Sequence, residues 1–424
     1  MCQKYDGCPP YPANKNSAQK TRPVPPILAD LLDTKAKVAF ERRHGINIMW
    51  PFLGPLVVDP NNPSTTYRQE PFVNPSAFPV HVTADVLERI KDAGFDFIRL
   101  NIAPGPWMEA IGQPTRLNYL FGLMDEAVAL ILRAGLGVVV DLHPSNYVLF
   151  KVVACLDGGP LFDIYGRVVG LFAERYASWP QDTLALSLFN EPPDASDFAG
   201  HWPTMQAALY RAARSFMRHH TLILTADGYA SITTTAQSDP RIFDDNTLWD
   251  VHPYEPPLFC SQGNPDFSFN KHIRGLEYPP KPAHRLAATA TMLAAVNADF
   301  SLGKAQKSAA IASNARNLDF YFMTPFNAAW IDRQFETLAS WCAACAIAPS
   351  RVLCGEYGAA RSSTRYKAAS EASRRAYLID IGAALRKYGF RRSIFALDSP
   401  DYGITTGTGS NIGTLDGAII RAIR

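Results

Sequence analysis

Two glutamates stand out because each lies in an apolar segment where an unpaired charge would be costly. Glu191 ends the run LSLFNE, and Glu356 lies within RVLCGEYG. Burying an ionised carboxylate without a partner is strongly unfavourable, so both residues are predicted to have a partner or a chemical use. Two carboxyl groups in one cleft, one protonated and one ionised, are typical of enzymes that cleave glycosidic bonds.

Further polar side chains accumulate where predicted strands end. Arg99 is a permanent cation that is suited to hold Glu356 ionised, and Tyr254 is suited to give Glu356 a second hydrogen bond. Catalytic residues of barrel enzymes come from the tips of several strands, so position is the argument for all of these residues. The polar residues at or just after strand ends are Arg99, Asn101, Asp141, His143, Asn190, Asp227, His252, Tyr254 and Tyr357.

These polar residues differ in how firmly a functional role is indicated. Asn190, beside Glu191, is predicted to hydrogen-bond a sugar 2-hydroxyl. His143 and His252 are predicted to orient the groups around them, the alternative being hydrogen-bonded core histidines. For Asp141 a structural role is favoured, since backbone donors readily hold an acid within a buried strand. The role of Asp227 stays open between the two interpretations.

Eight short runs rich in apolar or β-branched residues precede these polar residues and alternate with segments of helical periodicity. This alternation predicts a (β/α)8 barrel, in which the carboxyl ends of all strands converge on one face. The predicted strands are His44 to Trp50, Phe95 to Asn101, Leu136 to His143, Leu184 to Glu191, Leu222 to Gly228, Thr247 to Tyr254, Arg351 to Gly358 and Arg391 to Asp398.

The segments between the strands support this interpretation. Gly94, Gly135 and Gly389 follow helical patterns and are predicted to end helices. A doubly wound open sheet is the alternative, but it would need a Gly-rich phosphate loop after an early strand, and the sequence has none. Residues 51–79 and 255–350 are too long for plain loops, and both are expected to wall the cleft.

Composition limits the classes of partner. The 424 residues carry a net charge of +2, which gives no electrostatic reason to expect nucleic acid or an anionic membrane as partner. No apolar run is long enough to span a bilayer. Residues 1–40 are expected to be an irregular lead-in, without the apolar core of a signal peptide, and residues 41–424 a single catalytic domain. Seven cysteines include Cys342 and Cys345, which lie in a helical apolar pattern and are predicted to be buried small side chains.

Five segments, in this order, resemble glycoside hydrolase family 5, the cellulase family of the large (β/α)8 clan. They are FDFIRLN, VVVDLHP, LSLFNEPP, VHPYEP and CGEYG. The resemblance implies that Glu191 is the general acid/base and Glu356 the nucleophile. It further implies endo-type hydrolysis of a β-linked glucan without a metal or organic cofactor. The surrounding shell would be Arg99, His143, Asn190, His252 and Tyr254.

The end of strand 8 departs from this family, which usually has a Trp there as a platform under the sugar. This chain has Phe395 or Leu397 at the corresponding place, and a Phe ring offers a smaller face for stacking. Trp50, with Phe52, and Trp107 are predicted to compensate by lining the cleft. Trp202 and Trp330 are expected to pack between helices instead.

Segments such as LFCSQG and QFETLASW also resemble cellulase-like members from bacterial exopolysaccharide gene clusters. The partner implied is a polysaccharide or oligosaccharide, and such a substrate favours an extracellular or periplasmic location. Three alternatives remain beside hydrolysis by the two glutamates. They are a non-catalytic carbohydrate-binding barrel, a transglycosylase acting in exopolysaccharide production, and a metal-dependent hydrolase, although strand 1 lacks the His-x-His such an enzyme needs. The sugar, the linkage and the oligomeric state are not assigned.

Overall fold

The fold is a closed barrel of eight parallel strands, as the sequence predicts. The computed structural model describes residues 38–49, 82–144, 159–194, 202–265, 270–363, 366–406 and 412–424. Each strand pairs with the next along the chain, and β8 pairs with β1 to close the barrel. The strands are β1 His44–Ile48, β2 Phe97–Ile102, β3 Gly137–Leu142, β4 Leu184–Ser187, β5 Thr221–Thr225, β6 Thr247–Val251, β7 Val352–Cys354 and β8 Arg391–Ile394.

The observed strands stop two to four residues before most of the predicted carboxyl ends. The predicted fourth strand extended to Glu191, whereas β4 ends at Ser187. The predicted seventh extended to Gly358, whereas β7 ends at Cys354. The reason is that the polar residues at the tips leave the backbone ladder to enter the cleft. The apolar runs were therefore correct as strands, and their polar extensions were not.

Helices surround the barrel between successive strands. The helices before β6 are Ala84–Asp92, Gly105–Ala110, Pro114–Arg133, Pro160–Tyr176 and Trp202–Arg214, followed by the short turns Asp227–Ala230, Ile232–Thr235 and Pro240–Ile242. After β6 come Pro257–Cys260, Pro282–His284, Arg285–Asn297, Lys304–Met323, Ala328–Cys345, Pro349–Arg351, Glu371–Tyr388 and Gly417–Ile423. Gly94, Gly135 and Gly389 all have positive φ at helix ends, which confirms their predicted role. No described helix is long and apolar enough to cross a membrane.

The long connection after β6 contains helices. Arg285–Asn297 and Lys304–Met323 pack against each other as a helical pair, which we call the insertion. The following helix, Ala328–Cys345, packs beside the barrel on Glu371–Tyr388. Cys342 in this helix is buried, as expected, whereas Cys345 is only partly buried. The predicted connection after the first strand, residues 51–79, lies outside the described residues.

Alternating positions along the strands divide the core in two. One set of side chains faces outward and packs under the helices. The other set faces into the barrel, where its lower part forms a separate apolar cluster of Val38, Phe40, Phe97, Val139, Ala185, Ile223, Leu248 and Leu353. Val38 and Phe40 were placed in the predicted lead-in, yet they are buried within this cluster. The division of the chain near residue 40 stays a prediction.

Both tryptophans that were predicted to pack between helices, Trp202 and Trp330, contact the hydrophobic core. Trp202 is buried, and its Nε1 donates to the carbonyl of Thr225 at 2.7 Å. Trp330 packs edge-on against Phe326, with ring centroids 4.8 Å apart. Asp227 is partly buried in the turn after β5, where its carbonyl accepts a hydrogen bond from Thr234. Its functional role stays a prediction.

Candidate active site

Arg99 lies at the centre of the polar end of the barrel and is fully buried. Its Nη1 donates to Glu356 Oε1 at 2.7 Å and to Asn47 Oδ1 at 3.0 Å. Its Nη2 donates to Asp141 Oδ1 at 3.0 Å and to Asn190 Oδ1 at 2.8 Å. One planar guanidinium thereby connects residues from β1, β2 and β3 with those that follow β4 and β7, and fixes their relative positions.

Glu356 has both carboxylate oxygens engaged and is almost fully buried. Oε1 accepts from Arg99, and Oε2 accepts from the Tyr254 hydroxyl at 3.0 Å. Burial and the charge of Glu356 raise the pKa of Tyr254 well above its usual value, so this hydroxyl keeps its proton and donates it. The predicted partners of Glu356 are thus in contact with it.

Asp141 joins Arg99 to His143. Its Oδ2 accepts from Asn101 Nδ2 at 2.8 Å and lies 3.1 Å from His143 Nδ1. Burial alone would raise the pKa of Asp141, but the positive charge of Arg99 and the hydrogen bond from His143 lower it well below its usual range. The structural role expected for Asp141 fits this network, although its donors here are side chains rather than the backbone donors that were expected.

His143 lies between two partners that orient its ring. Its Nδ1 faces the Asp141 carboxylate, whereas its Nε2 lies 3.1 Å from Asn190 Nδ2. A proton on Nδ1 with Nε2 as acceptor satisfies both contacts. His143 is also near the buried glutamate, with 3.8 Å between Nδ1 and Glu356 Oε1. It therefore helps to hold Asn190 and borders Glu356.

Glu191 lies beyond β4 in a backbone conformation that non-glycine residues rarely adopt, with φ 47°. Its side chain is 29% exposed, in contrast to the buried side chain of Glu356. Oε1 lies 2.8 Å from His252 Nδ1. Burial would raise the pKa of Glu191, but the hydrogen bond and positive charge of His252 outweigh it and lower this pKa.

His252 donates from both ring nitrogens to carboxylates. Its Nε2 lies 3.3 Å from Asp250 Oδ2, while Nδ1 faces Glu191. Burial would lower the pKa of His252, but the charges of Glu356 and Asp250 and its two hydrogen bonds raise this pKa to about 10. At neutral pH His252 is therefore an imidazolium held between two acids.

Asp250 is a site residue that the sequence analysis did not single out. Its side chain is fully buried, and Oδ1 accepts from the backbone N–H of Gly355 at 2.6 Å. Oδ2 faces His252 and lies 3.4 Å from Arg99 Nη2. Asp250 is on β6, and His252 follows the end of that strand two residues later, so strand alternation places both side chains on the inner face. This alternation could have identified Asp250 as a site residue from the sequence.

The two glutamates and His252 converge on one point. One side-chain atom from each of Glu191, His252 and Glu356 lies within 4.8 Å of the others. Among the described residues, this group has the donor atoms that could ligate a cation. His252 Nδ1 is already at hydrogen-bond distance from Glu191, so a metal would have to displace the proton between them.

Of the residues predicted to contact the sugar by an apolar face, Phe395 is partly exposed, whereas Leu397 and Trp107 are buried. Phe395 is partly exposed and packs edge-on against Tyr402, whereas Leu397 is fully buried and is excluded as a sugar contact. The prediction that Trp107 lines the cleft is wrong. It is fully buried in helix Gly105–Ala110, where its ring packs 5.0 Å from that of Phe172 and fills the core.

Trp50 and Phe52, the other predicted compensating residues, lie outside the described residues. In the long connection after β6, Phe259 and Tyr278 are buried and pack against Tyr377, so they support the wall of the barrel instead of facing the cleft. The described aromatic side chains that border Glu356 are therefore Tyr254 and, one ring further away, Tyr402.

A closed (β/α)8 barrel with two glutamates meeting at its strand tips is the arrangement of a barrel glycoside hydrolase. The sequence comparisons give the family. The family model described as cellulase (glycosyl hydrolase family 5) matches residues 61–388. This chain belongs to glycosyl hydrolase family 5.

Relatives of this chain include Endoglucanase 3 from Fibrobacter succinogenes, 27% identical over 231 residues. That match covers 52% of this chain and only 33% of the relative. Among solved structures, cellulose synthase subunit Z from Clostridioides difficile is 19% identical, with a TM-score of 0.62 over 90% of this chain and 99% of that chain. Endoglucanase Cel5A from Thermotoga maritima is 17% identical, with a TM-score of 0.62 over 92% of this chain and 100% of that chain. These structures share the fold.

Proposed function

We propose that this chain is a retaining, endo-acting β-glucanase, with Glu356 as nucleophile and Glu191 as acid/base. The observation that carries the proposal is the separation of the two carboxylates, whose nearer oxygens lie within 4.8 Å. Retaining enzymes hold the two carboxyl groups about 5–5.5 Å apart, whereas inverting enzymes leave about 6.5–9.5 Å for a water molecule. The short separation supports direct attack by a carboxylate on the sugar.

In the first step Glu356 attacks the anomeric carbon while Glu191 protonates the leaving glycosidic oxygen. The hydrogen bonds from Arg99 and Tyr254 hold the Glu356 carboxylate in place for this attack. In the second step Glu191 removes a proton from water, which attacks the anomeric carbon and releases Glu356. Two inversions return the β configuration to the product.

The proton that Glu191 delivers has a nearby source. In the free cleft the lowered pKa of Glu191 leaves it ionised beside the His252 imidazolium. Moving the proton across the 2.8 Å contact from Nδ1 to Oε1 converts the ion pair into a neutral pair without changing its total charge. A sugar that displaces water from Glu191 favours this neutral pair, because desolvation penalises charges.

The proposed substrate class rests on the family and on two side chains at the strand tips, Asn190 and Phe395. Both relatives named as endoglucanases support a β-glucan backbone and internal cleavage. Asn190 is held by Arg99 and His143 with its amide nitrogen toward the histidine, which suits the proposed contact with a sugar 2-hydroxyl. The partly exposed face of Phe395 is the proposed platform under the sugar.

The proposal is tested by reducing-end release from carboxymethyl-cellulose, lichenan, mannan, xylan and bacterial exopolysaccharides. Wild type is compared with Glu356→Gln and with Glu88→Gln, a matched change on the exposed face of helix Ala84–Asp92. We expect cleavage of a β-glucan, a loss of about 10⁴-fold or more in kcat for Glu356→Gln, and no change for Glu88→Gln.

Two outcomes would contradict this proposal. An α-configured first product, detected by proton NMR of the anomeric signals, would show inversion and exclude Glu356 as nucleophile. Binding of a glycan by wild type without cleavage of any polysaccharide would instead indicate a carbohydrate-binding barrel. New, longer oligosaccharides formed at the expense of hydrolysis would indicate transglycosylation by the same intermediate.

A further inference from the structure

A cavity lies where the segment that follows β6, the first helix of the insertion and the loop that follows β7 meet. Its volume is about 640 Å³, within the range of about 300–1,000 Å³ common for small-ligand sites. Its lining is mixed, with small apolar residues, one aromatic ring and several charged groups. The lining residues used below are Lys271, His272, Arg274, Ala295, Asp299 and Tyr366.

Tyr366 connects this cavity to the active-site cleft. It belongs to a small buried cluster with Tyr402, against which Tyr254 and Phe395 pack. The rings of Tyr254 and Tyr402 have centroids 5.8 Å apart, and Tyr254 in turn donates to Glu356. Packed aromatic rings therefore lead from the wall of this cavity, through Tyr402 and Tyr254, to the nucleophile.

The charges lining the cavity do not cancel. Asp299 accepts from Lys271 Nζ at 2.9 Å and lies 2.9 Å from His272 Nε2. Its other oxygen accepts from the backbone N–H and hydroxyl of Ser301. Burial lowers the pKa of His272, so this ring is neutral at neutral pH. Both carboxylate oxygens of Asp299 are therefore engaged by these partners, and Asp299 neutralises a single cation, Lys271.

Arg274 is the cation that remains. Its Nε is buried, yet no described residue accepts a hydrogen bond from it. No carboxylate in the described part of the chain forms an ion pair with its guanidinium either. A buried guanidinium nitrogen without an acceptor is costly, and an anionic ligand that supplies two oxygens would satisfy it. Arg274 lines the cavity, so it is positioned to meet such a ligand there.

We propose that this cavity binds a carboxylate-bearing sugar unit of the polysaccharide. Arg274 would hold the carboxylate, while the Tyr366 ring and the small side chains of the insertion, such as Ala295, would contact the apolar face of the sugar. This inference rests on the proposed function, because it treats the cavity as an extension of the same cleft. It assigns the enzyme to acidic β-glucans in preference to neutral ones.

The test uses two ligands that share one backbone. Cello-oligosaccharides are compared with oligosaccharides of equal length whose primary alcohols have been oxidised to carboxylates. Binding is measured by isothermal titration calorimetry in the full-length Glu356→Gln background, which prevents cleavage. We expect the oxidised ligand to bind at least about tenfold more tightly, the factor that one charge-assisted hydrogen bond provides. Rising salt should reduce this preference.

Variants of Arg274 identify the origin of the preference. Arg274→Gln should remove most of it, and Arg274→Lys should keep part of it because the charge is retained. Arg316→Gln is the matched control, since Arg316 is an exposed arginine of the insertion that does not line the cavity. Equal binding of the two ligands, or a preference that survives Arg274→Gln, would overturn the proposal.

A second measurement separates this inference from the proposed function. Hydrolysis of the unoxidised oligosaccharides by wild type tests catalysis and does not involve the carboxylate. If wild type hydrolyses them and the oxidised ligand shows no preference, only the cavity assignment is wrong. If wild type hydrolyses neither the unoxidised nor the oxidised oligosaccharides but the preference depends on Arg274, the cavity assignment stands and the catalytic proposal is wrong.

Discussion

The lower and upper parts of the barrel interior are built on the same strands but from opposite chemistry. On β2 the inward positions change from Phe97 to Arg99, two residues further along. On β6 they change from Leu248 to Asp250 in the same way. All four side chains are fully buried. Burial alone therefore does not determine which residue type a strand position carries.

The two layers differ in what makes the burial of their side chains energetically favourable. The lower layer requires only volume and shape, because apolar side chains pack without specific partners. The upper layer requires that each charge meets an opposite charge or a donor, because an unpaired buried ion is far more costly than a cavity. Arg99 satisfies several acids at once, so removing it breaks many contacts together. The lower layer has no comparable centre.

Replacing Arg99 should have the largest effect. Arg99→Leu leaves Glu356, Asp141 and Asp250 without their cation, so we expect a loss of about 3–5 kcal/mol in the free energy of unfolding. The reaction should also be lost, because Arg99 no longer holds the Glu356 carboxylate in position for attack. Urea denaturation and reducing-end assays measure the two effects.

The matched change in the lower layer is Leu248→Ala. A cavity there should cost about 2–5 kcal/mol of stability and leave kcat/KM nearly unchanged while the protein stays folded. If the two variants lose activity to the same extent at equal stability, the division of the interior into a structural and a functional layer is wrong.

A substitution at Asp250 tests whether residues of the upper layer contribute to catalysis by positioning the catalytic groups. Asp250→Asn keeps the size of the side chain but weakens the hold on His252 and on the backbone of Gly355. We expect kcat to fall about 100-fold with little change in KM, because the catalytic groups and not the bound sugar are displaced. An effect confined to KM would contradict this role.

His252 should set the alkaline limit of activity. Its pKa of about 10 keeps a proton on the His252–Glu191 pair well above neutral pH. In His252→Asn this proton is carried by Glu191 alone, so the alkaline limb of kcat/KM should move to lower pH, with about a tenfold loss at mildly alkaline pH. If the alkaline limb of kcat/KM lies at the same pH in His252→Asn as in wild type, the proton comes from a group other than the His252–Glu191 pair.

The same substitution has a consequence for stability. Because the pKa of His252 is raised in the folded state, its contribution is fully present below the ordinary value of 6.5 and is lost as pH rises through about 10. Wild type should therefore lose more stability than His252→Asn over this interval in denaturant titrations.

Phe395 should give the smallest effect. Phe395→Ala removes a partly exposed ring, and a stacking contact of about 0.5–1.5 kcal/mol corresponds to roughly a threefold to tenfold rise in KM. Phe395→Trp should lower KM by a similar or smaller factor. If Phe395→Ala leaves KM unchanged for every glucan, Phe395 is not the platform under the sugar.

The fold was predictable because its signals are local and repeated. Most strands are short apolar or β-branched runs, and glycines such as Gly94 and Gly389 mark helix ends through their positive φ. The polar network of the upper layer was only partly predictable. The sequence indicated the contacts of Glu356 with Arg99 and Tyr254, because charge complementarity and strand ends gave a reason for them.

Other features were not predictable, because they depend on the direction in which a side chain points from a helix or loop. Trp107 was expected in the cleft because it follows β2, yet helix Gly105–Ala110 turns it into the core. The cavity around Arg274 forms where the segment after β6 and the first helix of the insertion meet Tyr366 in the loop after β7, which is far from them in sequence. Local periodicity carries no information about such contacts.

The closeness of Asp250 to Gly355 restricts how these two positions can vary. A methyl group at position 355 would lie 2.3 Å from the carboxylate oxygens of Asp250, far inside van der Waals contact. Gly355→Ala should therefore be harmful alone and better tolerated with a smaller residue at 250, which is epistasis between two positions on neighbouring segments. A mutational path to a new specificity would have to change position 250 before position 355.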